Sequence, residues 1–189
     1  MEKSVKSKKP KRLPKYLTKD EIRLLLNIPY KTRMDHILMM RLAYNCGMRN
    51  SEVCNIIVEN FNFEDLSVTI ISGKGDKDRI IHVLTHELVL MLEKYIENNN
   101  LNLQDKLFDM KPRGFTAMVK RYGKRAGLEK NIYPHMLRHS FAVHSLKVGV
   151  NLRSLQKTLG HSSLTTTQIY LDIVGDDIKE DYRLHPLPV

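Results

Sequence analysis

The chain changes its hydrophobic period only twice, and those two changes bound what it can fold into. From Thr18 to about Ile57, apolar residues recur at helical spacing. At 66–71 and again at 79–83 the spacing gives way to runs rich in β-branched residues. From Thr85 onward the helical spacing returns and holds as far as Tyr170. The segment between the β runs, Ser72-Gly73-Lys74-Gly75-Asp76-Lys77-Asp78, carries two glycines and two aspartates and reads as the turn of a hairpin. One short β segment inside an otherwise helical chain predicts a mainly α protein with a small antiparallel β-sheet, an α+β fold.

Boundary signals divide the helical parts. Thr18-Lys19-Asp20-Glu21 fits a capping box, followed by Ile22, Leu25 and Leu26. A second helix spans about 33–46, with Ile37, Met40 and Tyr44 on one stripe and Leu38 and Leu42 on another. Apolar residues on more than one side predict a largely buried helix, which Gly47 ends. Asn50 is the expected N-cap of a third helix and Thr85 of a fourth, which stops at 98–100. Further helices are expected at 114–125, from Pro134 to Gly149, from Asn151 to Gly160, and from near Ser163 through Tyr170. The globular unit is thus 17–173. Before it, residues 1–16 carry seven Lys and Arg with Pro10 and Pro14, the composition of an extended basic arm. After it, 174–189 forms a tail that opens on the helix-compatible DDIKEDY and ends in HPLPV.

Charge points to a partner. The net charge is +10, spread along the chain, which favours a polyanion and above all nucleic acid. No run of eighteen apolar residues is present for a membrane-spanning helix, and no apolar segment follows the basic N-terminus as a secretory signal would need. Cys46 and Cys54 match neither a zinc pattern nor a disulfide framework, and read as reduced, small apolar side chains. These features place the chain in the cytoplasm, associated with DNA.

Six polar residues stand at element ends: Arg49, Lys74, His135, Arg138, His161 and Tyr170. Each alone is weak evidence. Gly47 and Gly160, however, stop helices just before Arg49 and His161, so both side chains fall where a cleft can use them. His135 and Arg138 are three apart and share one helix face. A guanidinium fork matches a phosphate in two-point geometry. The His135-x-x-x-His139 pair has zinc-like spacing, but HMLRH lacks the glutamate of HExxH and Arg138 would repel a dication. GKGDK lacks the upstream glycine and the following Ser or Thr of a nucleotide-binding loop.

Taken together, GMRNSEV, GKGDKDR, PHMLRHSFAVH and LGHSSLTTTQIY, with the tyrosine nine residues after the histidine, resemble the four boxes of the tyrosine recombinase family of phage integrases and Xer recombinases. The resemblance covers about 16–173. It implies that family's catalytic-domain fold, and cleavage and rejoining of DNA through a 3′-phosphotyrosine at Tyr170. Only roughly one free tyrosine in a thousand is ionised at pH 7, so the phenol needs help. By resemblance, His135 assists proton movement at the nucleophile, Arg49 and Arg138 neutralise the non-bridging oxygens, His161 hydrogen-bonds the same phosphate, and Lys74 protonates the leaving 5′ oxygen. Glu52 orients the basic groups, or is an ordinary helix ion pair.

The resemblance further implies no metal and no cofactor. Double-stranded DNA is the expected partner, with assembly on it into a tetrameric synapse from a free monomer, and with the tail docking on a neighbouring protomer. Two alternatives stay open: a type IB topoisomerase-like strand transferase, which tends to carry Lys where this chain has His135, and a DNA-binding module without catalysis. Family members usually carry an N-terminal helical domain. Here the basic arm precedes the boxes, which fits either a fragment or a minimal enzyme.

Overall fold

Thr18 opens the first helix, α1 (Lys19–Asn27), with a reciprocal capping box. Its hydroxyl accepts the Glu21 N–H, and the Glu21 carboxylate accepts the Thr18 N–H at 2.8 Å. The computed structural model describes residues 13–28, 33–71 and 78–184. Most of the basic arm, the hairpin turn with Lys74, and the extended end of the tail therefore lie outside the described residues.

The second helix, α2 (Met34–Asn45), buries Leu38, Met39, Met40, Leu42 and Ala43, as its doubled apolar stripe predicts. Gly47 follows at φ +61°, and a Cβ there would lie 2.5 Å from the Phe141 ring, so the position needs glycine on both counts. The next helix, α3 (Asn50–Asn55), corrects one expectation: its N-cap is Arg49, not Asn50. The Glu52 carboxylate accepts the Arg49 N–H at 2.7 Å and supplies the cap, while the Asn50 amide donates to Pro112 and Thr116.

A three-stranded antiparallel sheet follows, in the order β1 (Phe61–Asn62), β2 (Ser67–Ile70), β3 (Arg79–Ile81). The expected hairpin is β2–β3, with Val68 opposite Ile81 and Ile70 opposite Arg79. Strand β1 went unread because two residues cannot display a period of two.

The remainder is helical: α4 (His86–Asn98), α5 (Pro112–Arg125), α6 (Pro134–Lys147), α7 (Leu152–Leu159) and α8 (Leu164–Leu184). Thr85 and Asn151 accept N–H bonds as N-caps of α4 and α7, and Gly160 closes α7 in the left-handed conformation. Proline occupies the first turn of α5 and of α6, so α5 starts two residues earlier than expected. Helix α8 continues past Ile173 and through Gly175, where an interior glycine costs only about 1 kcal/mol relative to alanine. Val174 is buried beside Tyr170, so the core does not stop at 173.

The expected mainly α fold with a small sheet is what forms. Its core is in two parts. The larger gathers α1, α2, α3, α4, α5, the sheet and one face of α6, with α2 packed on its helical neighbours. The smaller gathers Ala142, Val143, Leu155, Leu159, Tyr170 and Val174 from α6, α7 and α8. Helix α6 is shared by both, which places its polar residues on the seam.

Candidate active site

The C-terminus of α7 organises the site. The last carbonyls of a helix have no intrahelical donor and carry the negative end of the helix dipole, so they attract cations. Here three consecutive carbonyls each take a guanidinium from a different part of the chain. Arg79 Nε donates to Thr158 at 2.8 Å, Arg138 Nη2 to Leu159 at 2.6 Å, and Arg49 Nη2 to Gly160 at 3.0 Å. Arg138 also donates from Nη1 to Gly47 at 2.6 Å, and so ties the end of α2 to the end of α7.

Glu52 neutralises part of this charge. Arg79 grips both of its carboxylate oxygens, at 2.9 and 2.8 Å, and Arg49 Nη1 donates to Oε1 at 2.8 Å. Arg138 lies 4.0 Å from Oε2. Burial alone would raise the carboxyl's pKa. The bonds and charge of Arg79, the Arg49 N–H and the charge of Arg138 together outweigh it and hold the group down at about 2. Arg138, 4 % exposed, is lowered to about 10, chiefly by burial and then by Arg49. Among the described residues, three arginines surround this one carboxylate, an arrangement that suits an anion.

Around this base opens a cleft of about 950 Å³. Arg49, Arg138, His135, His161 and Tyr170 all line it, so five of the six sequence-predicted site residues converge although they span 121 positions of the chain. The sixth, Lys74, lies outside the described residues. Glu52 sits beneath, against Arg49 and Arg79. Tyr170 is 3 % exposed and its hydroxyl hydrogen-bonds His139 Nδ1 at 2.8 Å, so its bond goes to His139 and not to His135. Burial raises the phenol's pKa, and Arg138 partly offsets this. His161 Nδ1 pairs with the Thr167 hydroxyl at 3.0 Å. Burial, with Arg138, Arg49 and Arg79 nearby, pushes this imidazole down to about 4. His135 is lowered for the same reasons, burial first and then Arg138 and Arg49. Among the described residues, no three His, Cys, Asp or Glu side chains are grouped to hold a metal ion.

The phage integrase family matches residues 15–174. The chain belongs to that family. A tyrosine recombinase of Pseudothermotoga lettingae is 42% identical over 171 residues, covering 88% of this chain and 59% of the relative. Tyrosine recombinase XerA of Pyrococcus horikoshii is 39% identical over 190 residues, covering 95% and 64%. The chain thus spans about three fifths of the length of the curated relatives it matches. The crystal structure of XerA recombinase aligns with a TM-score of 0.82 at 30% identity, over 95% of this chain and 68% of that one. The catalytic domain of bacteriophage HP1 integrase aligns at 0.69 and 26% identity, over 92% and 96%. The fold expected from the resemblance is therefore the fold observed. Among the described residues, no helix of this integrase-family chain is long and apolar enough to cross a membrane.

Three residues around the cleft escaped the reading of the sequence or were weighed only as structural. Arg79, at the foot of the hairpin, was counted as a strand residue. A charge in a β-branched run was the available signal. His139, one turn from His135 in HMLRH, enters the sequence reading only through its zinc-like spacing from His135. Thr167, fully buried three residues before Tyr170, carried no signal in a run of three threonines.

Proposed function

We propose that this chain is the catalytic domain of a site-specific DNA recombinase, which cuts and rejoins strands through a 3′-phosphotyrosine at Tyr170. The observation that carries the reading is the convergence of Arg49, Arg138, His135, His161 and Tyr170 on one cleft whose base gathers three arginines around Glu52. A scissile phosphate seated there meets two guanidinium forks, which stabilise the charge that grows on its non-bridging oxygens. His161, with Nδ1 engaged by Thr167, offers Nε2 to the same phosphate. Arg49 and Arg138 are positioned by helix-end carbonyls and by Glu52 before substrate arrives, which is the preorganisation such catalysis needs.

Lys74 protonates the leaving 5′ oxygen. Its hairpin is anchored beside the site, because Arg79, next after the turn, is bonded to Glu52. His135, at the mouth of the cleft, shares in proton movement. The same reading has duplex DNA as the partner: the structural relatives include XerH recombinase bound to its difH substrate, with a TM-score of 0.72 at 30% identity. It extends to a tetrameric synapse on DNA, to a DNA-contacting arm at 1–16, to a tail that docks on a neighbouring protomer, and to action in the cytoplasm.

The test is a nicked suicide duplex incubated with wild type and with Tyr170→Phe. Wild type accumulates a covalent DNA adduct that survives denaturation, and the variant forms none. DNA binding by both without any adduct would leave a binding module. Relaxation of supercoils without exchange between two sites would leave a topoisomerase.

A further inference from the structure

We infer that His139 is a catalytic residue of the cleavage step, taking the proton of the Tyr170 phenol as its oxygen closes on phosphorus. This rests on the reading of Tyr170 as nucleophile and assigns the proton acceptor within it. Four observations carry it. The His139 Nδ1 to Tyr170 Oη distance is 2.8 Å, a formed hydrogen bond to the reacting atom itself. The tyrosine is 3 % exposed, so bulk water has little access to serve in place of the imidazole. The His139 and Tyr170 rings lie 5.8 Å apart, while the His135 ring stacks on His139 at 6.2 Å, one helical turn away. Both histidines and the phenol line the same cleft. The acceptor next to the phenol is therefore His139, where the family resemblance implies His135.

The imidazole is neutral in the free protein. Burial, then His135 and Arg138, hold it down at about 4. With its ring proton on Nε2, the tautomer this inference requires, Nδ1 presents a lone pair to the phenol. A phosphodiester entering the cleft brings a negative charge beside Arg138, which raises the imidazole's affinity for a proton when the base is needed. In the forward step the Tyr170 O–H bond breaks and its proton passes to Nδ1. The Oη–P bond forms, and the P–O5′ bond breaks with its electron pair going to O5′, which takes a proton from the Lys74 ammonium. In rejoining, the 5′ hydroxyl attacks phosphorus and gives its proton back to the Lys74 amine, while the Oη–P bond breaks and the imidazolium returns its proton to Oη.

Single-turnover cleavage of a nicked duplex by the full chain, followed against pH, tests this. His139→Asn sets an amide oxygen about where Nδ1 lies, so it can accept the phenol's hydrogen bond but cannot take its proton. The titratable and charged groups that line the cleft with His139 are His135 and Arg138 from α6, Arg49 from the start of α3, His161 from the turn before α8, and Asp172 and Tyr170 from α8. All are common to both proteins, so their titration cancels in the comparison. We expect His139→Asn to bind DNA as wild type does but to cleave roughly 10²–10⁴-fold more slowly. Its deficit should shrink with rising pH, as hydroxide replaces the lost base. Sulfur in place of the bridging 5′ oxygen leaves as a thiolate and needs no proton. On that substrate the His139→Asn deficit should persist while a Lys74→Ala deficit disappears. Added imidazole should restore part of the rate of His139→Ala. Should the alanine variant fail to fold, the asparagine variant on the two substrates decides alone. Wild-type rate and pH profile in His139→Asn, or a deficit that vanishes on the sulfur substrate, would overturn the assignment. No adduct from wild type would instead overturn the nucleophile reading, and this inference with it.

Discussion

Replacing Glu52 with Gln removes one negative charge from the base of the site without changing its shape. Glu52 faces Arg79, whose side chain is 7% exposed, Arg49 and Arg138, and its own side chain is 9% exposed. Breaking a buried ion pair on one side costs about 3–5 kcal/mol, because the partner charges stay buried. The carboxyl's pKa supports the lower end of that range. It stands at about 2 in the folded chain against 4.5 for a free group, and at about 1.4 kcal/mol per pH unit the gap amounts to roughly 3–4 kcal/mol. Gln also turns an amide N–H₂ toward donors at Arg79 or Arg49. For a chain of this length, a loss of 3 kcal/mol lowers Tm by roughly 6–12 °C. The sign with pH follows from the depressed pKa. The unfolded carboxyl binds the proton first, so the contribution is full above 4.5 and is lost as the pH falls toward 2. Urea melts of wild type and Glu52→Gln should therefore differ by about 3 kcal/mol at pH 7 and by less than half of that at pH 3. A difference under 1 kcal/mol at pH 7, or one that stays constant down to pH 3, would refute the view that Glu52 is the counter-charge of the arginine cluster.

Gly47→Ala should destabilise by roughly 1–3 kcal/mol from contact with Phe141 alone, with the strain of a left-handed φ added; wild-type stability in a denaturant melt would remove the close-approach argument. His161 stands at about 4 in the folded chain against 6.5 when free, so the unfolded state binds more protons between those values and stability falls on acidification through that window. In His161→Gln the slope of stability against pH between 4 and 6.5 should be shallower, and an unchanged slope would contradict the burial of that imidazole. The phenol shares its cleft with the arginines of its own chain, so a mixture of Tyr170→Phe with Arg49→Ala should stay inactive on the suicide duplex; recovered cleavage would mean that a partner supplies the tyrosine.

Where local rules decide the structure, the sequence was readable. Thr18, Thr85 and Asn151 cap helices as their side chains dictate, Gly47 and Gly160 end helices in the left-handed conformation, and the β-branched runs pair as a hairpin. Legibility failed where a distant group decided the outcome. Asn50 has the chemistry of an N-cap, but the Glu52 carboxylate caps the helix from within and frees Asn50 to bond α5. Strand β1 exists only because β2 offers a partner, and Gly175 stays helical although it reads as a stop. At the site, residue types and their order pointed to Arg49, His135, Arg138, His161 and Tyr170 without giving their connections. That Tyr170 bonds His139, or that Arg79 clamps Glu52, depends on where α8 and β3 come to lie, and no local pattern encodes either.

The arrangement explains how Arg138, buried, and Arg49, half-buried, can both be kept beside one cleft. A buried guanidinium with no partner is costly, and one wholly neutralised by carboxylates has little attraction left for substrate. Here most of the desolvation cost is met by neutral acceptors, the carbonyls of Gly47, Leu159 and Gly160, which satisfy N–H groups without cancelling charge. Arg138 spends two of its five donors this way and still lines the cleft. Glu52, the carboxylate at the base, does not itself line the cleft and grips Arg79, which holds the hairpin to the end of α7. Geometry is thus fixed largely by dipoles, which hold the guanidiniums without cancelling their charge. Turning any one of these carbonyls away would loosen a guanidinium without adding negative charge, so the site would lose order before it lost its affinity for anions.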